Sequence, residues 1–204
     1  MVYARVNTIF GRRDTIAAGV ARVEGTDRAA VEASRGNRGL TTLMDGDAGV
    51  IVALSYWMDP LHSSAPNLTR VRERIAAAAR GALVAETYAV AWQEPGPAPA
   101  WPGAAVRIDR LQTDPVAEVA GHDLLRAHVR QEAGGDSGFC GAEVMVDRGN
   151  GAALLITTWT AGAAQRADAV VAQLCDGAAG AGITLRRTET YVLVRGCAPI
   201  RAPR

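Results

Sequence analysis

The side chains best suited to chemistry lie near the start of the chain. The stretch "YARVNTI" puts Arg5 and Asn7 two residues apart, so on a strand both point the same way. Arg5 stays cationic at any working pH and could stabilise a phenolate or an enolate. Asn7 offers two donors and an acceptor, enough to hold an oxyanion. His62, in "MDPLHSS", is the first half's own histidine and could take up a proton near neutral pH. Each also has a plainer use. Arg5 could pair with Glu86, and Arg107 with Glu189, across neighbouring strands. The recurrence of those charges in both halves favours the ion pairs. Trp57 would be justified by core packing alone, and Tyr56, Tyr88 and Tyr191 read first as strand aromatics. His122 and His128 stand six residues apart, well apart around a helix, and make a poor metal pair. The Gly-rich "GAAGAG" at 177–182 lacks the strand-to-helix context of a phosphate loop.

These residues need elements to hold them, and the chain spells those elements twice. Trp57 and Trp159 are separated by 159 − 57 = 102 residues, and Asp45/Asp147, Gly39/Gly141 and Arg5/Arg107 share that offset. "AETYAVAW" and "TETYVLVR" match with Tyr88 and Tyr191 at 191 − 88 = 103. A constant offset over the whole length points to a tandem duplication. Each copy reads as strand, helix, two strands, helix, strand. Residues 2–10 are a strand rich in β-branched and aromatic types. Asp14 is expected to cap a helix reaching about Ser34, interrupted near Gly25 and Thr26. Strands 38–45 and 49–57 flank the hairpin signal "DGDAG". A second helix from about Leu68 to Arg80 follows Asn67, and strand 83–92 closes the copy. In the second copy Asp114 and Pro115 are the expected N-cap and first helical residue. Residues 93–104, "QEPGPAPAWPGA", read as a stiff Pro-rich linker that stops the strand. The copies are thus 1–92 and 105–196, with a tail over 197–204. This is an α+β class chain of two ferredoxin-like βαββαβ repeats. Along 50–57 both faces are apolar, so the back of each sheet wants a cover. The other copy's sheet is the expected one, giving a pseudo-dimer packed sheet to sheet.

Bulk properties narrow the class. The 204 residues carry a formal net charge of +1, without the basic excess of a nucleic-acid binder. Every residue of the Lys+Arg total is Arg, which with abundant Ala and Gly reads as GC-rich bacterial codon usage. Cys140, Cys175 and Cys197 are odd in number and widely spaced. That argues against a disulfide framework or structural zinc and for a reducing cytoplasm. The opening "MVYARVNTIFG" is too short and too interrupted for a signal peptide or a membrane span.

The motifs "YARVNTI", "RGNRGLTTLMD", "ALSYWMD" and "ETYAV", in this order, resemble the antibiotic biosynthesis monooxygenase-like superfamily of dimeric α+β barrels. The second copy carries looser versions, "SGFCGAEVMVD" and "TTWTA", so the first copy's cleft is the expected working one. The resemblance implies a ligand cleft between helices and sheet, lined by Trp57, and by Trp159 in the second copy. It matches Asn7 to a first-strand Asn of the distal pocket in haem-degrading relatives; Asp109 occupies that place in the second copy. The implied activity is a cofactor-independent monooxygenase of small aromatic or polyketide-type molecules. Asn7 and His62 are the catalytic candidates, donor and base; Trp57, Arg5 and Tyr56 are the binding candidates. No metal and no cofactor are expected. Haem is disfavoured because the second helix of neither copy holds the axial His of those relatives. The competing reading is a non-catalytic ligand-binding or assembly module. Expected partners are a small apolar or aromatic ligand and a second copy of the chain as a homodimer, with no nucleic acid and no membrane.

Overall fold

The computed structural model describes residues 1–114, 118–178 and 182–197. Contacts divide the chain into two compact units, residues 1–88 with 192–204, and residues 89–191. The first holds β1 (Tyr3–Phe10), α1 (Ile16–Arg22), a π-turn (Val23–Asp27), α2 (Arg28–Glu32), β2 (Asn37–Asp45), β3 (Val50–Trp57), a 3-10 turn (Pro60–Ser64) and α3 (Pro66–Ala78). It also holds the first part of β4 (Ala82–Pro95). The second holds the rest of β4, β5 (Ala105–Thr113), α4 (Glu118–Glu132), β6 (Phe139–Asp147), β7 (Ala152–Trp159), a 3-10 turn (Ala161–Ala163) and α5 (Ala164–Ala178). The last strand, β8 (Ile183–Arg195), serves the second unit up to Tyr191 and the first from Val192. The chain is of the α+β class: in the first unit β1 pairs with β3, β3 with β2 and β2 with the last residues of β8, and in the second β5 pairs with β7, β7 with β6 and β6 with the last part of β4, all antiparallel.

In the first unit β3 lies between β1 and β2, with Ala53 opposite both Asn7 and Thr42. All eight β3 residues are buried, as a strand apolar on both faces requires. Its hairpin with β2 is made as the sequence suggests. The Ala48 N–H donates to Asp45 Oδ1 at 2.9 Å, and Gly49 takes φ +72°, which L side chains resist. In the second unit Gly149 N–H donates to Asp147 Oδ1 at 2.9 Å, with Gly151 again at φ +72°.

Three expectations need correction. Asp14 does not cap α1: it accepts from Arg12 at 3.0 and 3.1 Å. The residue before the helix is Thr15, whose hydroxyl donates to Ala79 O at 2.8 Å. A nearby guanidinium is a stronger partner for a carboxylate than backbone N–H groups. The second helix starts at Pro66 rather than near Leu68, because proline gives up no helical bond at a first turn. Strand β4 continues to Pro95, which sits opposite Gly141, although the prolines predict a linker from residue 93. A proline at a strand's end removes no interior ladder bond. The break near Gly25 is present: that residue has φ −84°, ψ −127° inside the π-turn, whereas α4 runs uninterrupted. The expected cap at Asp114 and Pro115, "GAAGAG" and the tail beyond Cys197 fall wholly or partly outside the described residues, as does the side chain of Cys175.

The first unit's core gathers Ile9, Ile51, Trp57, Leu68, Ile75 and Ala79 under the helices. Gly19 lets α1 lie close to α3 and β3: a Cβ there would stand 2.7 Å from Ile51 Cδ1 and 2.9 Å from Ala79 Cβ. Gly19→Val is therefore expected to cost about 1–3 kcal/mol through overpacking. Urea unfolding with an unchanged m-value checks this, and a loss near zero would mean that α1 simply slides outward.

Candidate functional site

A cavity of about 30 Å³ lies inside the first unit, walled by β1, β2, β3, the π-turn, α2 and α3. The apolar wall includes Ile9, Val23, Leu40, Trp57, Val71 and Ile75. Its polar residues are Asn7, Asp27, Ser55 and Arg72. Strand alternation selects the wall: Asn7 and Ile9 from β1, and Ala53, Ser55 and Trp57 from β3, each two apart. Tyr56, between Ser55 and Trp57, is buried and absent from the wall, because neighbouring strand residues point to opposite faces.

Asn7 is buried and commits its amide NH₂ to strand carbonyls, Ala53 O at 3.3 Å and Arg5 O at 3.5 Å. Its Oδ1 is buried with no partner. The amide therefore presents an acceptor to the cavity, not the donor expected from its chemistry alone. An acceptor suits a hydroxyl or N–H of a ligand and repels an oxyanion. Trp57 is fixed by its Nε1–H donating to Ser55 Oγ at 2.9 Å. Asp27 is held by Arg22 at 2.8 Å and Arg74 at 2.6 Å, so its charge is compensated.

Arg72 differs. It is 8% exposed, and its Nη2–H donates to the carbonyl of Ser63; among the described residues no carboxylate pairs with it. Burial, and then the positive charge of Arg5, push its pKa down to about 10, so it remains a cation at neutral pH. Arg5 donates to Thr87 Oγ1 at 2.6 Å and not to Glu86. Residues 86 and 87 point to opposite faces of β4, and Arg5 meets the one on its own side. The second unit repeats the geometry with Arg107 on Thr188 at 3.1 Å, again not on Glu189, which pairs with Arg110 at 3.3 Å and Arg187 at 3.0 Å. Arg107, unlike Arg5, is neutralised by Asp109 at 3.0 Å and by Asp168.

His62 is not on this wall. It lies in the 3-10 turn with its Nδ1 buried and without a partner against Gly36. Of the five residues singled out from sequence, the cavity joins Asn7 and Trp57; Arg5 shares their strand face beside it, and Tyr56 and His62 stand apart. Sequence reasoning missed Arg72, although a signal existed. Leu68, Val71, Arg72 and Ile75 follow the i, i+3, i+4, i+7 spacing of a buried helix stripe, and a cation within it is out of place.

The second unit has a larger cavity, about 250 Å³, lined by Arg107, Trp159, Gln165, Asp168 and Tyr191 among others. Here Trp159 Nε1 and Thr157 Oγ1 are buried with no partners, where the first unit has its Trp57–Ser55 bond. Burial, and then the charge of Glu189, raise the pKa of Tyr191 and keep its phenol protonated. The side chains that ligate haem iron are His, Cys, Met and Tyr. The first wall holds no His, Cys, Met or Tyr, and Tyr191 in the second is held neutral, a poor axial ligand. His128 Nε2 lies 3.3 Å from Val170 O. No group of three or more potential metal ligands occurs among the described residues, and no described helix is long and apolar enough to cross a membrane.

No protein-family model matches the chain. By sequence it is similar to the uncharacterized protein Rv2557 of Mycobacterium tuberculosis, 29% identical over 161 residues, 78% of this chain and 71% of that one. By structure it is similar to an anthrone oxidase-like protein with a TM-score of 0.68 and 12% identity, covering 98% and 95% of the two chains. A provisionally assigned monooxygenase of Lactobacillus acidophilus gives a TM-score of 0.67 at 9% identity, covering 95% and 93%. A haem-binding protein of Thermus thermophilus gives 0.58 at 11% identity, covering 95% and 92%. At such identities the likeness concerns the fold alone, which is of the α+β class.

Proposed function

We propose that the chain is a tandemly duplicated, cofactor-independent monooxygenase of small phenolic or polyketide-type aromatics, working in the first unit's cavity. The carrying observation is the buried, partnerless Asn7 Oδ1 in an apolar cavity beside Trp57 and Arg72. A phenolic hydroxyl satisfies that acceptor, apolar walls take the ring, and a nearby guanidinium favours the ring's anion. An anthrone-type anion is electron-rich enough to reduce O₂ itself. Its ring CH₂ becomes C=O, one oxygen atom enters the product, and the other leaves as water with the two methylene hydrogens. The protein supplies orientation and electrostatics, the two contributions expected of a site without a cofactor. The cavity of about 30 Å³ holds little more than water, so a ring enters only as the wall yields. The broken turn carrying Val23 and Asp27 is the segment of that wall without continuous helix.

Oxygen uptake with anthrone-type phenols is the direct test. Asn7→Ala is expected to lower kcat/KM roughly tenfold, the value of one buried hydrogen bond to the reacting molecule. No uptake with any such phenol refutes the reading. Tight binding without uptake would instead favour the non-catalytic binding module, a role to which the small cavity is also suited.

A further inference from the structure

Arg72 and Arg5 bring two positive charges to one side of the first unit's core. Arg72 is nine-tenths buried, lines the cavity and is tied to the protein by a carbonyl rather than by an acid. Arg5 lies on the cavity face of β1, two residues before Asn7, with its Nε buried and without a partner. Neither has a carboxylate partner among the described residues. The acid on the same wall, Asp27, is already taken by Arg22 and Arg74. The contrast with Arg28 is instructive: that guanidinium, equally buried, is met by Glu24 at 2.9 Å and Glu32 at 2.8 Å. A buried cation without an acid is expensive unless something else brings the negative charge.

We infer that the first unit's cavity binds a small apolar carboxylic acid as its anion, with the carboxylate at Arg72 and Arg5 and the hydrocarbon body against Trp57, Val71 and Ile75. A planar guanidinium fork matches the two oxygens of a carboxylate and discriminates against neutral groups of the same shape. A carboxylate is ionised throughout the neutral range, whereas a phenol is not, so a permanent double positive charge selects the acid. The inference rests on this cavity being the ligand site and narrows the substrate class to aromatic molecules bearing an acid group.

Calorimetric titration of the full chain with benzoate, methyl benzoate and inorganic phosphate tests it. Benzoate is expected to bind at least tenfold more tightly than its methyl ester, the worth of a charge-assisted hydrogen bond. Arg72→Met keeps the apolar stem and should bring the acid and the ester to similar affinity, with thermal unfolding confirming that the variant is folded. Arg5→Met is the second variant, expected to reduce the preference in part and to serve if Arg72→Met does not fold. The proposal is overturned if the ester binds as well as the acid, if neither binds, or if phosphate binds as tightly as benzoate. It is equally overturned if the preference survives both substitutions. Oxygen uptake plays no part in this measurement, so binding of benzoate by a protein inert towards anthrones would leave the inference standing while the monooxygenase reading fell.

Discussion

Arg28→Ala is expected to unfold in urea with roughly 3 kcal/mol less stability than the parent chain. Arg28 is 3% exposed at the start of α2, directly after the broken turn. Its guanidinium donates to Glu24 at 2.9 Å, Glu32 at 2.8 Å, Leu40 O at 2.8 Å and Thr42 Oγ1 at 3.2 Å. It therefore ties both sides of the break to β2, where the backbone at Gly25 has left the helical region. Removing it strands the buried carbonyl of Leu40 and the hydroxyl of Thr42. Glu24 and Glu32 are 19% and 41% exposed and can recover part of their hydration, which limits the loss. Arg28→Lys should recover only part of the stability, since one ammonium cannot span four acceptors on two elements. A loss below about 1 kcal/mol would mean that the interrupted helix is held by its apolar face alone, Val23 and Val31, with the polar network contributing little.

The parts of the fold governed by short-range rules were legible in the sequence. Runs of β-branched and aromatic residues located the strands, and Gly49 ended the hairpin signal because its φ of +72° excludes most other residues. Gly25 marked the break in the first helix for a related reason, its low helical propensity. What failed were choices between partners at equal sequence distance. Arg5 faced Glu86 and Thr87 as alternatives one residue apart, and only the register of β4 decides which shares its side. Asp14 chose Arg12 over the helix terminus for electrostatic reasons that a capping rule does not weigh. For the candidate site, Asn7 and Trp57 were named through the resemblance, and strand alternation on β1 and β3 accounts for their sharing one cavity wall. His62 was misplaced because a turn's path around a cavity mouth is a tertiary outcome. Arg72 and Asp27 were missed because charged residues in helices are ordinarily solvated, and only the apolar stripe around Arg72 betrays its burial.

Trp57→Ala is expected to cost roughly 3–5 kcal/mol, the range for truncating a fully buried aromatic. Trp57 is 1% exposed and lies where β3 meets the cavity, so its removal joins the space of an indole to the existing 30 Å³ or so. The enlarged space is lined by Ile9, Leu40, Leu68, Val71 and Ile75 together with Asn7, Ser55 and Arg72, so water can enter it, and an aromatic guest that displaces loosely held water from the apolar side should bind. Indole added to Trp57→Ala should therefore raise Tm with the logarithm of its concentration, while the parent chain shows no such rise. Trp57→Phe should lose less, about 1–2 kcal/mol, through the missing bond to Ser55 Oγ and incomplete filling. The pair separates packing from ligand recognition. If indole restores stability, the wall at Trp57 is rigid enough to keep its shape, and a natural ligand must gain entry elsewhere, through the broken turn. If indole has no effect and the loss stays below about 2 kcal/mol, the wall has collapsed inward, and Trp57 is then the residue that props the cavity open.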